Sequence, residues 1–141
     1  MGKLAVMPET LSFQHVYHYS LHTVGITVPV RLDYAGEYAE FKARVDTGAS
    51  YCIFSRIYGE ELGLNIEQGI PEEISTVMGN FQVYGHRVTL TVLGIALDTM
   101  VYFAAHEQFT RNVLGRQGWL NLVRLGVVDY EGKLYLSHYN N

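Results

Sequence analysis

Cysteine and charged residues are scarce in this sequence of 141 residues. The single cysteine, Cys52, cannot form an internal disulfide, and it excludes metal sites built on paired cysteines. Only 17% of the residues are charged, against about 25% in an average globular domain. Ten Lys and Arg against fourteen Asp and Glu give a net charge of -4, which argues against nucleic-acid binding, because neutralising phosphates needs a basic face. With 48% hydrophobic residues and 11 Tyr, so little charge predicts a surface partly buried against a partner.

Long hydrophobic runs are also absent. Residues 100–105 form one of the longest uninterrupted apolar runs, well short of the roughly 18 residues that a membrane-spanning helix needs. The N-terminal residues contain one lysine and too short an apolar segment for a secretory signal. We therefore expect a soluble protein without a membrane partner, in a reducing, cytoplasmic compartment.

Apolar and polar residues alternate with a period of two through much of the chain, which predicts β-strands. The predicted strands cover residues 13–21, 28–32, 38–45, 83–92, 99–104, 127–130 and 134–136. Turn signals at residues 33–36 and 131–132 join two pairs of them into hairpins. Short helices are predicted over residues 55–62, with Gly63 just beyond the end, and over residues 116–123. This pattern predicts an all-β domain with one or two short helices, arranged as a sandwich or a partly closed barrel.

An acidic motif, Val-Asp-Thr-Gly-Ala-Ser, lies at the end of a predicted strand and finishes at Ser50. The carboxyl of Asp46 is suited to proton transfer, and the hydroxyl of Thr47 can hold the loop without adding charge. Gly48 permits a turn with positive φ or the close approach of another chain. Ala49 keeps the loop small, and Ser50 adds a hydroxyl that can hold a carboxylate oxygen. A bare Asp-Thr-Gly triplet is also typical of an ordinary Asx turn between strands, and the motif alone leaves both interpretations open.

A second signal lies downstream, where two apolar residues are followed by a glycine and an arginine. Its residues are Val113, Leu114, Gly115 and Arg116. Gly115 would let a strand pass close behind the acidic loop, because it has no Cβ. Taken alone, this segment is typical of a buried strand that meets a helix. The order and spacing of the two signals favour a shared site.

Together these segments resemble the retropepsin-like aspartic proteases, over roughly residues 25–138. The acidic motif matches the catalytic loop of that family, and residues 113–116 match its second apolar-apolar-Gly element. The resemblance implies a retropepsin-like acid protease half-barrel at residues 25–141, after an N-terminal segment, residues 1–24, that supplies a dimer or edge strand. It also implies a substrate-binding flap, which is a hairpin within residues 74–91. The tip of that flap would consist of Met78, Gly79, Asn80 and Phe81.

The sequence departs from the family pattern at the flap and beside the second glycine. The flap tip has one glycine where viral relatives often have several. In several of those relatives, the arginine after the second glycine pairs with an acid four positions beyond the catalytic one. Ser50 occupies that position here, so Arg116 must find another partner. Gln117 replaces the Asp or Asn that is common at the next position.

A single acidic motif implies two chains. Aspartic proteolysis uses two carboxyl groups about 3 Å apart that share one proton. This chain has one Asp-Thr-Gly and too few residues for a second lobe, so the second acid must come from another copy. The resemblance implies a two-fold homodimer that cleaves polypeptides without a metal or organic cofactor, with Asp46 catalytic and Thr47 bracing the two loops. Residues 13–21 and 134–139 are the candidate interface segments.

Other interpretations of the same residues stay open. The chain could be a non-catalytic member of this fold that acts as a dimerisation or peptide-binding module, or the triplet could be accidental on an unrelated β-barrel. His15, His18 and His22 have a spacing suited to metal ligation on a helix, but strand alternation puts His15 on the face opposite the other two. Cys52 follows the acidic loop and is interpreted as a buried small residue, not a thiol nucleophile.

Overall fold

A computed structural model describes residues 5–140 of the chain. These residues form mainly β-strands, with one short α-helix and three turns of 3-10 helix. The strands are β1 (His15–His18), β2 (Thr27–Tyr34), β3 (Glu37–Val45), β4 (Ile53–Phe54), β5 (Ile70–Thr76), β6 (Gly79–Val92), β7 (Ile95–Ala104), β8 (Val113–Leu114), β9 (Val123–Val128) and β10 (Lys133–His138). The helix is α1 (Arg56–Glu61), and the 3-10 turns are Ile66–Gln68, Leu120–Leu122 and Asp129–Glu131. The predicted all-β class with few helices is confirmed.

The larger sheet has seven strands in the order β2-β3-β8-β4-β7-β6-β5. Because β2 also pairs with β6, for example Val30 with Val92, the first six of these strands form a closed ring. β5 lies outside the ring as the hairpin partner of β6. Of the two predicted arrangements, a sandwich or a partly closed barrel, the structure has a barrel, and its ring of strands is closed.

The core lies inside this ring, because strand alternation directs every second side chain inward. In β2, Val28, Val30 and Leu32 are 0%, 3% and 0% exposed, whereas Arg31 between them is exposed. Each such side chain stabilises the fold by about 1.5–3 kcal/mol when it is fully buried. Trp119, the only tryptophan, is also fully buried and lies in the segment that follows β8.

Two tight turns connect the long strands. Ala35 and Gly36 join β2 to β3 with φ of 51° and 83°, and Leu93 and Gly94 join β6 to β7 with φ of 50° and 82°. Two consecutive residues with positive φ form a two-residue hairpin turn, and the twist of this turn matches the twist of the strands on either side. The predicted turn at residues 33–36 is confirmed, and Ala35 and Gly36 are the two residues between the paired strands.

A second, smaller sheet has the order β1-β10-β9. The hairpin of β9 and β10 confirms the turn that was predicted at Gly132, which has φ of +65°. β1 pairs with β10 of the same chain, His15 opposite Leu136, and is shorter than the predicted strand at residues 13–21. The two candidate interface segments therefore pair with each other within one chain.

The helix predictions had different outcomes. α1 begins after Ser55, and Gly63 beyond its end has φ of +77°, as predicted. The helix predicted over residues 116–123 is wrong, because only the 3-10 turn at its end is helical. Gly118 has φ of +97°, which no right-handed helix permits, and its carbonyl accepts a hydrogen bond from the hydroxyl of Thr99 at 2.9 Å. Contacts with β7 thus override the local helical signal. Among residues 5–140, no helix is long and apolar enough to cross a membrane.

Candidate active site

The acidic loop leaves β3 and returns as β4, and β8 lies between these two strands. β8 runs parallel to β3, where Val45 pairs with Leu114, and antiparallel to β4, where Ile53 pairs with Val113. Both ends of the loop are therefore fixed to the same short strand. This threading brings residues 45–50 and residues 113–116 together, although they are far apart in the sequence.

Backbone hydrogen bonds hold Asp46 in place. Its N–H donates to the carbonyl of Leu114 at 3.0 Å, and its own carbonyl accepts from the N–H of Ala49 at 3.1 Å. The N–H of Gly48 donates to carboxylate oxygen Oδ1 at 3.0 Å, which orients the side chain. Asp46 is half-buried in the single chain, and Thr47 and Gly48 beside it are exposed. The carboxylate is thus oriented by the backbone on a loop that is open to a second molecule.

Gly115 lies directly behind this loop. A Cβ atom at this position would overlap with the carbonyl oxygen of Tyr51 and would lie 2.9 Å from that of Ala49. The backbone of β8 therefore approaches the loop as closely as the sequence analysis predicted, and only glycine permits this approach.

Two further backbone hydrogen bonds stabilise the far side of the loop. The N–H of Arg116 donates to the carbonyl of Ala49 at 2.8 Å, and the N–H of Gln117 donates to the carbonyl of Ser50 at 2.9 Å. The side chain of Arg116 is exposed and forms no ion pair within the part of the chain that the structure describes. The main chain therefore holds the loop, and the other partner expected for the Arg116 side chain is not an acid among the described residues.

Asn112 is a positioning residue that the sequence analysis did not identify. Its side-chain Oδ1 accepts a hydrogen bond from the N–H of Ser55 at 2.9 Å, and its carbonyl accepts from the N–H of Arg44 at 2.8 Å. One residue thus links the end of β3 to the start of α1 across β8. Its place immediately before the apolar pair was the only signal in the sequence.

The hairpin of β5 and β6 corresponds to the predicted flap, but its tip lies earlier than predicted. Thr76 pairs with Gly79, so the turn consists of Val77 and Met78, which are 102% and 85% exposed. The prediction of a tip at residues 78–81 is therefore wrong in part, because Gly79, Asn80 and Phe81 already belong to β6. The hydroxyl of Thr76 closes the turn, since it accepts from the N–H of Met78 at 3.1 Å and donates to the carbonyl of Gly79 at 3.0 Å.

The histidines and the cysteine lie apart from this loop. His15 and His18 are exposed in β1, and His22 follows in an exposed turn. The described residues contain no group of three His, Cys, Asp or Glu that could hold a metal ion. Cys52 is fully buried, and burial raises the pKa of its thiol to about 12, so the thiol is neutral at physiological pH. This burial agrees with its interpretation as a small core residue.

Comparison with known proteins supports the fold. No protein-family model and no curated protein sequence matches the chain. Among solved structures, the chain is similar to EIAV protease complexed with the inhibitor HBY-793, with 21% identity over 71% of this chain and 88% of that chain and a TM-score of 0.53. The chain has a retropepsin-like, all-β fold.

Proposed function

We propose that this chain is one half of a homodimeric aspartic endopeptidase, in which the carboxyl groups of Asp46 from two copies form the catalytic pair. The observation that carries this proposal is the geometry of Asp46. Its carboxylate is oriented by the N–H of Gly48 on a loop whose ends are both fixed by β8, and Thr47 beside it is exposed. The retropepsin-like fold supports the same conclusion.

The proposed reaction needs both carboxyl groups. The ionised carboxyl removes a proton from a water molecule as the water attacks the carbonyl carbon of the peptide bond. The protonated carboxyl donates a hydrogen bond to the carbonyl oxygen and then supplies a proton to the leaving nitrogen. Two like charges at about 3 Å cannot both be present, so the pair holds one proton between them. One chain has only one of these groups, which is why the proposal requires a dimer.

Other residues have supporting roles in this proposal. Thr47 would brace the two loops across the two-fold axis, while Gly48, Ala49 and Ser50 keep the loop in shape. The hairpin of β5 and β6 would close over a polypeptide substrate as the flap, with the exposed Met78 at its tip. The second element, residues 113–116, would hold the loop from behind.

The test is the substitution Asp46→Asn, which removes the acid and retains the size of the side chain. We expect the variant to lose hydrolysis of a peptide library at acidic to mildly acidic pH, where one carboxyl of the pair stays protonated. Sedimentation should still show a dimer. Asp98→Asn is the matched control, because Asp98 is an exposed acid on β7, with a side chain 80% exposed, and should retain full activity. Activity in the Asp46→Asn protein would contradict the proposal, and a wild type that binds peptides without cleaving them would identify a non-catalytic module.

A further inference from the structure

Although the chain is acidic overall, most of its unpaired cations lie beside the acidic loop. Among residues 5–140, five Lys and Arg side chains form no ion pair: Lys42, Arg44, Arg111, Arg116 and Arg124. Two of them lie in β3, which leads into the loop, and two flank β8, which holds it. Because positive charge that is not neutralised within the chain attracts anions, this distribution favours an acidic ligand near Asp46.

Of these cations, Arg44 shares a face of the sheet with Asp46. The N–H of Arg44 donates to the carbonyl of Asn112 at 2.8 Å, and the N–H of Asp46 donates to that of Leu114 at 3.0 Å. Both bonds lead to β8 and are two residues apart, so the alternation of β3 continues as far as Asp46. Ala43 is buried in the core, whereas Arg44 is exposed. The side chains of Arg44 and Asp46 therefore leave the same outer face, about 7 Å apart along the strand.

A glycine holds the guanidinium of Arg44 away from the catalytic carboxyl. A Cβ atom at Gly25 would lie 2.6 Å from Nε and 3.2 Å from Cζ of Arg44, so the guanidinium lies directly against the backbone of Gly25. No ion pair joins Arg44 to Asp46 in the described chain. Val113, half-buried, is the partner of Arg44 on the parallel strand β8 and shares its face. A free cation and an apolar side chain thus lie together next to Asp46.

Resting on the proposed function, we propose that Arg44 is a specificity-determining residue, which binds an acidic side chain of the polypeptide next to the scissile bond. A guanidinium can donate two parallel hydrogen bonds to one carboxylate. Val113 would contact the CH₂ groups that carry this carboxylate. Because a two-fold axis relates the two copies, an Arg44 lies on each side of the catalytic pair. Glu or Asp is therefore favoured on either side of the bond that is cleaved.

The distance along β3 separates Arg44 from the next cation on the same face. Lys42 is also exposed, but it lies four residues before Asp46, about 13 Å along the strand. At physiological ionic strength, exposed charges are largely screened beyond about 8 Å. Arg44 is within this range of Asp46 and Lys42 is outside it. Lys42 is therefore a matched control, an unpaired cation on the same strand and face.

Two peptides that differ only in a Glu or a Gln next to the scissile bond test this inference. The assay is run at about pH 6, where a Glu with an ordinary pKa of about 4.3 is ionised. The wild type should cleave the Glu peptide with a kcat/KM about tenfold higher than that of the Gln peptide, because only Glu supplies a charged acceptor. Arg44→Met keeps the apolar stem and removes the charge, so it should lower this ratio to about one. Lys42→Met should keep the ratio of the wild type.

Peptide binding provides a second measurement that does not depend on hydrolysis. Fluorescence anisotropy should show that the Asp46→Asn protein binds the labelled Glu peptide about tenfold more tightly than the Gln peptide. The double variant Asp46→Asn, Arg44→Met should bind the two peptides equally. A wild type that cleaves both peptides at the same rate would overturn the role of Arg44 and leave the proposed function standing. A wild type that binds the Glu peptide selectively through Arg44 and cleaves neither would support recognition by Arg44 and overturn the proposed function.

Discussion

At the residue scale, the position of Asp46 depends on a neighbour that has no side chain. Gly115 lets β8 pass against the carbonyl groups of Tyr51 and Ala49, and this approach allows the N–H of Asp46 to reach Leu114. The catalytic role proposed for Asp46 therefore needs a glycine in another segment of the chain as much as it needs the carboxyl. Asn112 adds to this control because it fixes β8 on both sides.

Gly115→Ala should destabilise the protein by about 3 kcal/mol or more, because the added Cβ meets rigid backbone and not a side chain that can move. Urea unfolding followed by the fluorescence of the buried Trp119 measures the change. The variant should also lose peptidase activity under conditions in which it stays folded, since the acidic loop must shift.

Gly36→Ala is the control for that experiment. A Cβ at Gly36 would meet no atom within 4 Å, so the substitution destabilises the protein only through the positive φ of 83°. The free energy of unfolding should fall by about 1–2 kcal/mol, with activity unchanged. Equal stability of the two variants would show that the contact behind the acidic loop does not constrain it.

At the element scale, one ion pair joins three parts of the chain beside the barrel. The guanidinium of Arg56, in α1, binds both carboxylate oxygens of Glu67, in a 3-10 turn, at 2.6 Å and 2.5 Å. It also donates to the carbonyl of Ala105, just beyond β7, at 3.1 Å. The hydrogen bonds from Arg56 hold the pKa of Glu67 below its ordinary value. The contribution of this pair to stability should therefore depend on pH.

Glu67→Gln should lower the melting temperature by a few degrees at pH 7, and this difference from the wild type should shrink as the solution is made acidic. A carboxyl whose pKa is lower in the folded state stabilises the protein above its unfolded-state pKa, and this contribution is lost as the pH falls. Thermal unfolding at a series of pH values measures the effect. Asp98→Asn removes an ion pair with Arg87 between side chains that are 80% and 64% exposed, and it should change little at any pH. A Glu67→Gln difference that is independent of pH would show that packing, not charge, is responsible.

At the scale of the whole molecule, the proposed enzyme exists only as a pair of chains. In the proposed enzyme, half of the catalytic pair lies on each copy. The low content of charged residues is consistent with a chain that buries part of its surface in this way.

Mixing provides a test of shared catalysis. When wild-type chains exchange partners with a threefold excess of Asp46→Asn chains, random pairing should leave about a quarter of the original activity, because only pairs with two acids are active. Peptide hydrolysis after equilibration measures the fraction. An excess of Asp98→Asn chains should cause no inhibition. Activity that is unaffected by Asp46→Asn chains would mean that each chain acts alone, which contradicts the proposal.

The local sequence determined the elements of this protein and the motif at its centre. Alternation predicted β2 through Val28, Val30 and Leu32, because a strand directs every second side chain to one face. Residues near Gly36 and Gly132 predicted the turns, because glycine adopts positive φ without strain. The acidic motif and residues 113–116 identified the candidate site, because each is a short run of neighbouring residues in the sequence.

Only the tertiary structure decided which segments are neighbours. The helical signal at residues 116–123 is overridden by the hydrogen bond from the Thr99 hydroxyl to the carbonyl of Gly118, and the turn between β5 and β6 lies at Val77 and Met78 because the pairing of these strands fixes its register. The placement of β8 between β3 and β4, and of β10 between β1 and β9, could not be read from any one segment. Strand order depends on burying apolar faces and satisfying backbone hydrogen bonds across the whole chain at once, and such long-range conditions leave no local pattern.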